Sequence, residues 1–262
     1  MVDPRAGLAE YYDLNPAFPD DVPFYLGRTR AGDRVLELGC GTGRVSVPLA
    51  RACAFLHGVD HSDAMLAWCR ARLEEAGVDA SRWRLDRADI ADLHLGARFD
   101  LVVAPFRVLQ NLEADEAVEG LLDGVRRHLA PGGRCILNAF CPNRSPAELV
   151  DLWSGPPTEM ERWSTRTADG RVECVEGRGG VRASPLVIRP TLTYRRYRGD
   201  DLVDEAVHSF AMRCWYPDEL LDLLGSHGFR VAERWGGYAG EAYGEGRELV
   251  VEVSLPASEQ AP

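Results

Sequence analysis

"RVLELGCGTGRV", residues 34–45, carries an apolar run through Val35, Leu36 and Leu38, then Gly39, Gly41 and Gly43 at alternate positions. A strand that ends in closely spaced glycines and turns into a helix lets backbone amides approach a ligand with no Cβ in the way. The spacing is GxGxG, not the GxGxxG of dinucleotide sites, and Glu37 stands two residues before the first glycine. A carboxylate there repels a pyrophosphate and suits a ligand with a cationic amine or sulfonium centre.

The next segments extend that reading. "FLHGVD" ends on Asp60, roughly 20 residues after the glycines, where a second strand presents a carboxylate to a ribose diol. "RADI" puts Asp89 at the end of a third strand, placed to accept a hydrogen bond from an exocyclic adenine amine. "FDLVVAPF" and "RCILNAF" read as further strands, and residues 115–129 as a helix with Val118, Leu121, Leu122, Val125 and Leu129 on one face. Strands alternating with helices imply βαβ units and a parallel sheet.

Composition narrows the function. The formal net charge of -11 argues against binding a phosphate backbone. All 30 basic residues are arginine, which removes Walker-type phosphate binding and every lysine-based reaction. Seven cysteines with no CxxC pair point to buried reduced thiols, with no zinc site or disulfide frame. No run of about 18 apolar residues and no signal-peptide pattern is visible, so the expectation is a cytoplasmic protein with no membrane and no nucleic-acid partner.

After Phe140 the texture changes. Residues 141–170 are rich in proline, tryptophan and polar side chains, and "RVECVE", "PLVIRP", "TLTYRRYR" and "DLVDEAVHSFAMRCW" read as consecutive strands of an antiparallel insert. The α/β pattern then returns: Pro217 opens a helix with Leu220, Leu221 and Leu224 inward, and "FRVAERW" and "RELVVEV" supply two last strands. The tail after Leu255 reads as loose. The expected organisation is a single domain over 1–262, with a helical lid at 1–32 and an inserted antiparallel β subdomain at 141–215.

"LELGCGTGR", "GVDHSDAML", "RADI", "FDLVVAPF" and "LAPGG", in this order and spacing, resemble the class I S-adenosylmethionine (SAM) dependent methyltransferases of small-molecule type. The resemblance covers residues 10–140, and the last helix and strands fit the same fold. It implies a Rossmann-like α/β fold, a seven-stranded doubly wound sheet of order 3-2-1-4-5-7-6 with the last strand antiparallel and the β insert after strand 5. Carried over, Gly39, Gly41 and Gly43 line the methionine part of SAM, with Cys40 between them, and Glu37 holds its ammonium. Asp60 binds the ribose hydroxyls with His61 beside it, Met65 packs on adenine, Asp89 and the Ile90 backbone fix the adenine edge, and Ala104 lies near the sulfonium. Tyr12 and Tyr25 join the cofactor set from the lid. Several of these residues have structural rivals: Glu37 as a salt-bridged strand end, Asp60 with Ser62 as a helix cap, Met65 with Trp68 as core.

The acceptor is expected beyond Ala104, among Phe106, Arg107 and Gln110, and near Asn138 and Phe140. The alternative there is a short helix with Phe106 and Leu109 inward and Arg107 and Gln110 solvated. "APFR" replaces the Asn/Asp-Pro-Pro-aromatic motif of enzymes acting on adenine or amide nitrogen, which disfavours that class. The added sheet resembles that of small-molecule N-methyltransferases and can roof the pocket or form a homodimer interface. No catalytic base and no metal ligand is assigned, His208, Tyr194 and Tyr216 being the only proton acceptors that stand out in the insert. The resulting expectation is methyl transfer to a small molecule, at an amine nitrogen before oxygen. A SAM-binding protein without transfer activity is the non-enzymatic alternative, and an NAD-dependent dehydrogenase is disfavoured by GxGxG, Glu37 and the position of Asp89.

Overall fold

The structure, a computed structural model, describes residues 3–256 apart from 4, 6 and 17. The loose tail expected after Leu255 falls, beyond residue 256, outside the described residues. Two short helices, α1 (Ala9–Asp13) and α2 (Val22–Leu26), precede the first βα unit, β1 (Arg34–Leu38) and α3 (Ser46–Ala52). Then follow β2 (Phe55–Asp60), α4 (Asp63–Glu75), β3 (Trp83–Arg87), β4 (Phe99–Ala104), α5 (Asp115–His128) and β5 (Leu129–Phe140). The chain next forms α6 (Pro146–Ser154), β6 (Met160–Thr167), β7 (Gly170–Ala183), β8 (Leu186–Arg198), β9 (Asp201–Ser209) and β10 (Met212–Arg213). It closes with α7 (Pro217–Ser226), β11 (Arg230–Trp235) and β12 (Glu248–Ser254).

The main sheet has the order β11-β12-β5-β4-β1-β2-β3, and β12 runs antiparallel to both β5 and β11. This is the expected 3-2-1-4-5-7-6 arrangement with the last strand reversed. Both faces are covered, as the nearly continuous apolar strands require. On one face Leu36, Val102 and Leu137 pack against Leu121 and Val125 of α5 and Leu220 and Leu224 of α7. On the other, Val35, Val103 and Ile136 pack against Tyr25 of α2, Leu49 of α3 and Leu73 of α4. Each such fully buried leucine contributes about 2 kcal/mol of transfer free energy. The carboxyl ends of β1 to β5 therefore share one edge, where ligands of open α/β sheets bind.

The insert forms a second sheet, β10-β8-β7-β6, with β9 also paired to β8. It departs from the sequence expectation in three places. "PLVIRP" and "TLTYRRYR" are one strand, β8, which passes through Pro190, whose carbonyl accepts from Phe210 outside the ladder. The stretch at 141–170 holds α6 and β6; Ser145 and Glu148 form a capping box and Pro146 sits in the first turn. "DLVDEAVHSFAMRCW" breaks into β9 and β10, which pair with opposite ends of β8. The inner face of this sheet takes α1: Tyr11 stacks on Tyr194 at 5.3 Å among Trp163, Val172 and Cys174, and its hydroxyl donates to Asp204. No described helix is long and apolar enough to cross a membrane.

Candidate active site

The glycine turn is built for close approach. Gly39, Gly41 and Gly43 have φ of 67°, 53° and 90°, a left-handed path that favours glycine. A Cβ at Gly39 would meet Val108 Cγ2 at 2.7 Å, and one at Gly43 would meet Cys69 Sγ at 2.9 Å. At Gly41 the nearest atom is a backbone oxygen at 4.0 Å, so this is the glycine whose face is open. Cys40 turns inward, its Sγ packed on Gly58.

Asp60 is buried and ties the turn to the end of β2, accepting the Gly41 amide at 3.0 Å and the Ser62 amide at 2.9 Å. Asp60 thus supports the turn into α4, whose N-cap is Ser62, as the capping alternative has it, and each of its oxygens retains a lone pair for a further donor. His61 is exposed, with Nδ1 3.4 Å from Asp60. Among the described residues Glu37 makes no salt bridge. Its carboxyl is buried beneath the turn and accepts the Ser46 hydroxyl at 2.6 Å, and burial pushes its pKa up to about 8. Asp89 is exposed and caps the turn at Ile90–Asp92 through the Ala91 amide. It lines an open groove of about 580 Å³ with Ala88 and Leu93. Met65 is fully buried, whereas Trp68, its partner in the core alternative, is 41% exposed.

Beyond the buried Ala104, Phe106 and Arg107 adopt φ of 54° and 66°, left-handed values that are rare outside glycine. The short helix of the alternative is present, as one turn at Val108–Asn111 with Leu109 buried, but Gln110, which that alternative places in solvent, is completely buried because its amide joins two segments. Phe140 N–H donates to Gln110 Oε1 at 2.6 Å, and Gln110 Nε2 donates to the Arg213 carbonyl at 2.8 Å. Asn138 accepts the Arg107 amide at 2.9 Å, and the Arg107 guanidinium lies 5.2 Å from the Phe140 ring. Of the five acceptor candidates, Phe106, Arg107, Asn138 and Phe140 are thus brought together, and Gln110 is a clamp behind them.

The front of the chain closes over this edge. Tyr12 meets Phe18 at 4.9 Å and Phe106 at 6.3 Å, and Phe18 meets Phe106 at 4.9 Å. Burial raises the Tyr12 pKa to about 12. Asp13 accepts the Thr42 hydroxyl at 2.6 Å and pairs with Arg72 at 2.9 Å, latching α1 to the glycine turn and to α4. Arg44, next to Gly43, forms a two-point pair with the fully buried Asp21. Tyr25 is buried between Tyr238 and α3, not on the open edge of the turn. The sequence reading missed Phe18, Arg44 and Glu248. Arg44 lay inside the quoted stretch, but Glu248 comes into view only through the register that pairs it with Phe140. In the insert, burial pushes the His208 pKa down to about 4, and the Tyr216 hydroxyl donates to the Arg144 carbonyl.

The donor set fits SAM: an open-faced glycine, a carboxyl beneath the turn for an ammonium, a carboxylate at the end of β2 for a diol, and aromatic rings for a sulfonium. Residues 35–133 match the methyltransferase domain family. A phosphatidylethanolamine N-methyltransferase of Cereibacter sphaeroides is 32% identical over 153 residues, 55% of this chain and 72% of the relative. A ubiquinone biosynthesis O-methyltransferase of Alkalilimnicola ehrlichii is 28% identical over 210 residues, 73% of this chain and 80% of the relative. The SAM-bound amino pentose methyltransferase of Micromonospora echinaspora shares the fold with a TM-score of 0.70 at 22% identity, covering 95% of this chain and 96% of that one. The chain belongs to the class I S-adenosylmethionine-dependent methyltransferases, with S-adenosylmethionine as its cofactor.

Proposed function

We propose that this methyltransferase acts on an amine nitrogen of a small molecule, as one catalytic domain over 1–262 with residues 1–32 as lid and the 141–215 insert as roof. SAM supplies a methyl group on a cationic sulfonium. Asp60 holds the ribose diol, Glu37 the ammonium, Asp89 and the Ile90 backbone the adenine edge, and the Gly41 face admits the methionine part. The observation that carries the amine reading is the ring cluster of Tyr12, Phe18 and Phe106, which already faces a cation: the Arg44 guanidinium is 4.8 Å from Phe18 and 5.9 Å from Phe106. Ring faces stabilise positive charge. In transfer to nitrogen that charge passes from sulfur to nitrogen and stays within the rings. In transfer to a phenolate it is cancelled, and a cation-stabilising wall works against the transition state. Tyr12, with its pKa near 12, serves as a hydrogen-bonding wall and not as a base.

Oxygen transfer is the second reading, favoured by the similarity to the ubiquinone biosynthesis O-methyltransferase along 73% of the chain. The deciding experiment incubates the protein with SAM and matched primary amines, secondary amines and phenols, and measures formation of S-adenosylhomocysteine (SAH). Turnover of amines and not phenols is expected; the reverse assigns oxygen transfer.

A further inference from the structure

The left-handed pair Phe106–Arg107 is held by a closed ring of hydrogen bonds. Asn138 Oδ1 accepts the Arg107 amide at 2.9 Å, and Asn138 Nδ2 donates to Glu248 Oε2 at 2.9 Å. Arg107 Nε donates to Glu248 Oε1 at 3.0 Å, and its Nη2 donates to the same oxygen. Glu248 lies 141 residues further along the chain, at the start of β12, and its side chain is only 14% exposed. The guanidinium it holds is 5.6 Å from the Phe106 ring and 5.2 Å from the Phe140 ring. Phe106 also closes the ring cluster with Tyr12 and Phe18. The position and charge at this end of the site are therefore set by one carboxylate.

We propose that Glu248 is the specificity-determining residue of the acceptor site: by engaging Arg107 and Asn138 it neutralises the guanidinium and fixes Phe106, so that the site takes amines and rejects anionic acceptors. The inference rests on the amine reading above, which puts the acceptor beside Phe106. An arginine with a free fork binds a carboxylate or phosphate through two parallel hydrogen bonds. Here the Nε and Nη2 donors are engaged by Glu248, and a second anion beside that carboxylate is repelled. The other arginine at the rings, Arg44, is engaged in the same way by Asp21. An approaching amine thus meets aromatic faces and cancelled charges.

The test titrates SAH-saturated protein with benzylamine and benzoate, which share a ring and differ in charge, reading affinity by calorimetry and thermal shift. Wild type is expected to favour benzylamine at least about tenfold. In Glu248→Gln, Arg107 is released, so benzoate should gain about tenfold and benzylamine should weaken. In Arg107→Gln, Glu248 keeps its Asn138 hydrogen bond but loses its cationic partner, so benzylamine should tighten with benzoate still excluded. The double variant should lose the benzoate gain, an outcome that mere loosening of the fold does not produce. Benzoate binding wild type as well as benzylamine, or no gain of benzoate in Glu248→Gln, overturns the proposal. SAH titration separates the two levels: failure of wild type to bind SAH refutes the site reading itself, whereas SAH binding with an unaltered probe preference refutes only the role of Glu248.

Discussion

The Ser46 hydroxyl donates a 2.6 Å hydrogen bond to the buried Glu37 carboxyl, and this is the only hydrogen bond that carboxyl makes among the described residues. With its pKa pushed up to about 8, Glu37 is protonated in the ligand-free protein at pH 7. An ammonium placed against it favours the ionised form, so binding should release up to about one proton near pH 7. SAH affinity should rise with pH up to about 8 and level off. Calorimetry in buffers of different ionisation enthalpy measures the release; zero release would remove Glu37 from the ammonium site.

The same group makes stability depend on pH. Its folded pKa lies above the unfolded value of 4.5, so its contribution is fully present below about 4.5 and is lost as pH rises through about 8. Glu37→Gln keeps the neutral form at every pH. The Tm of the ligand-free variant should therefore decline less than that of wild type between pH 5 and 8.5, by the equivalent of a few kcal/mol at most. Parallel Tm curves for the two proteins would count against a raised pKa.

Asp60 joins the glycine turn to β2 through the Gly41 and Ser62 amides. Asp60→Ala removes both acceptors and the partner proposed for the ribose diol. SAH affinity should fall at least about tenfold, along with a loss of about 2–3 kcal/mol in stability. A variant that loses stability but binds SAH as well as wild type would make Asp60 a cap only.

The main sheet was legible because its signals are local: β1 and β2 are apolar runs stopped by Gly39 and Asp60, β4 and β5 are apolar runs followed within two residues by proline, and α5 has one apolar face. The antiparallel return of β12 came only with the family resemblance. The insert was harder, since the boundary read between "PLVIRP" and "TLTYRRYR" is absent: β8 runs on through Pro190, opposite Arg178 and beside a register shift. The Ser145–Glu148 capping box was readable as a helix start, but the polar texture around it reads as loop. Asp60 and the glycines were identifiable from spacing alone. The Glu248–Arg107 pair was not, because it depends on the register of β12 against β5, which no local pattern encodes.

The fit of Gly43 against α4 is testable on its own. Alanine there would place Cβ 2.9 Å from Cys69 Sγ and 3.1 Å from Cys69 Cα, at a φ of 90°. Gly43→Ala should cost about 2–3 kcal/mol, several degrees of Tm. Cys69→Ala in the same chain should recover about 0.5–1 kcal/mol of this, because the sulfur clash goes while the backbone contact and the left-handed strain remain. Full recovery would show that the sulfur alone makes glycine necessary.

Gln110 separates a structural from a substrate-binding role. Its amide engages the Phe140 N–H and the Arg213 carbonyl, with a longer contact of 3.4 Å to the Phe140 carbonyl. Leucine has a similar volume and leaves those backbone groups unpaired in a fully buried place. Gln110→Leu should therefore lose about 2–4 kcal/mol by urea unfolding, with the SAH dissociation constant unchanged within about twofold. If Gln110 instead contacts the acceptor, the variant keeps its stability and raises KM for the amine identified by the turnover screen, which would move Gln110 from the clamp to the pocket wall.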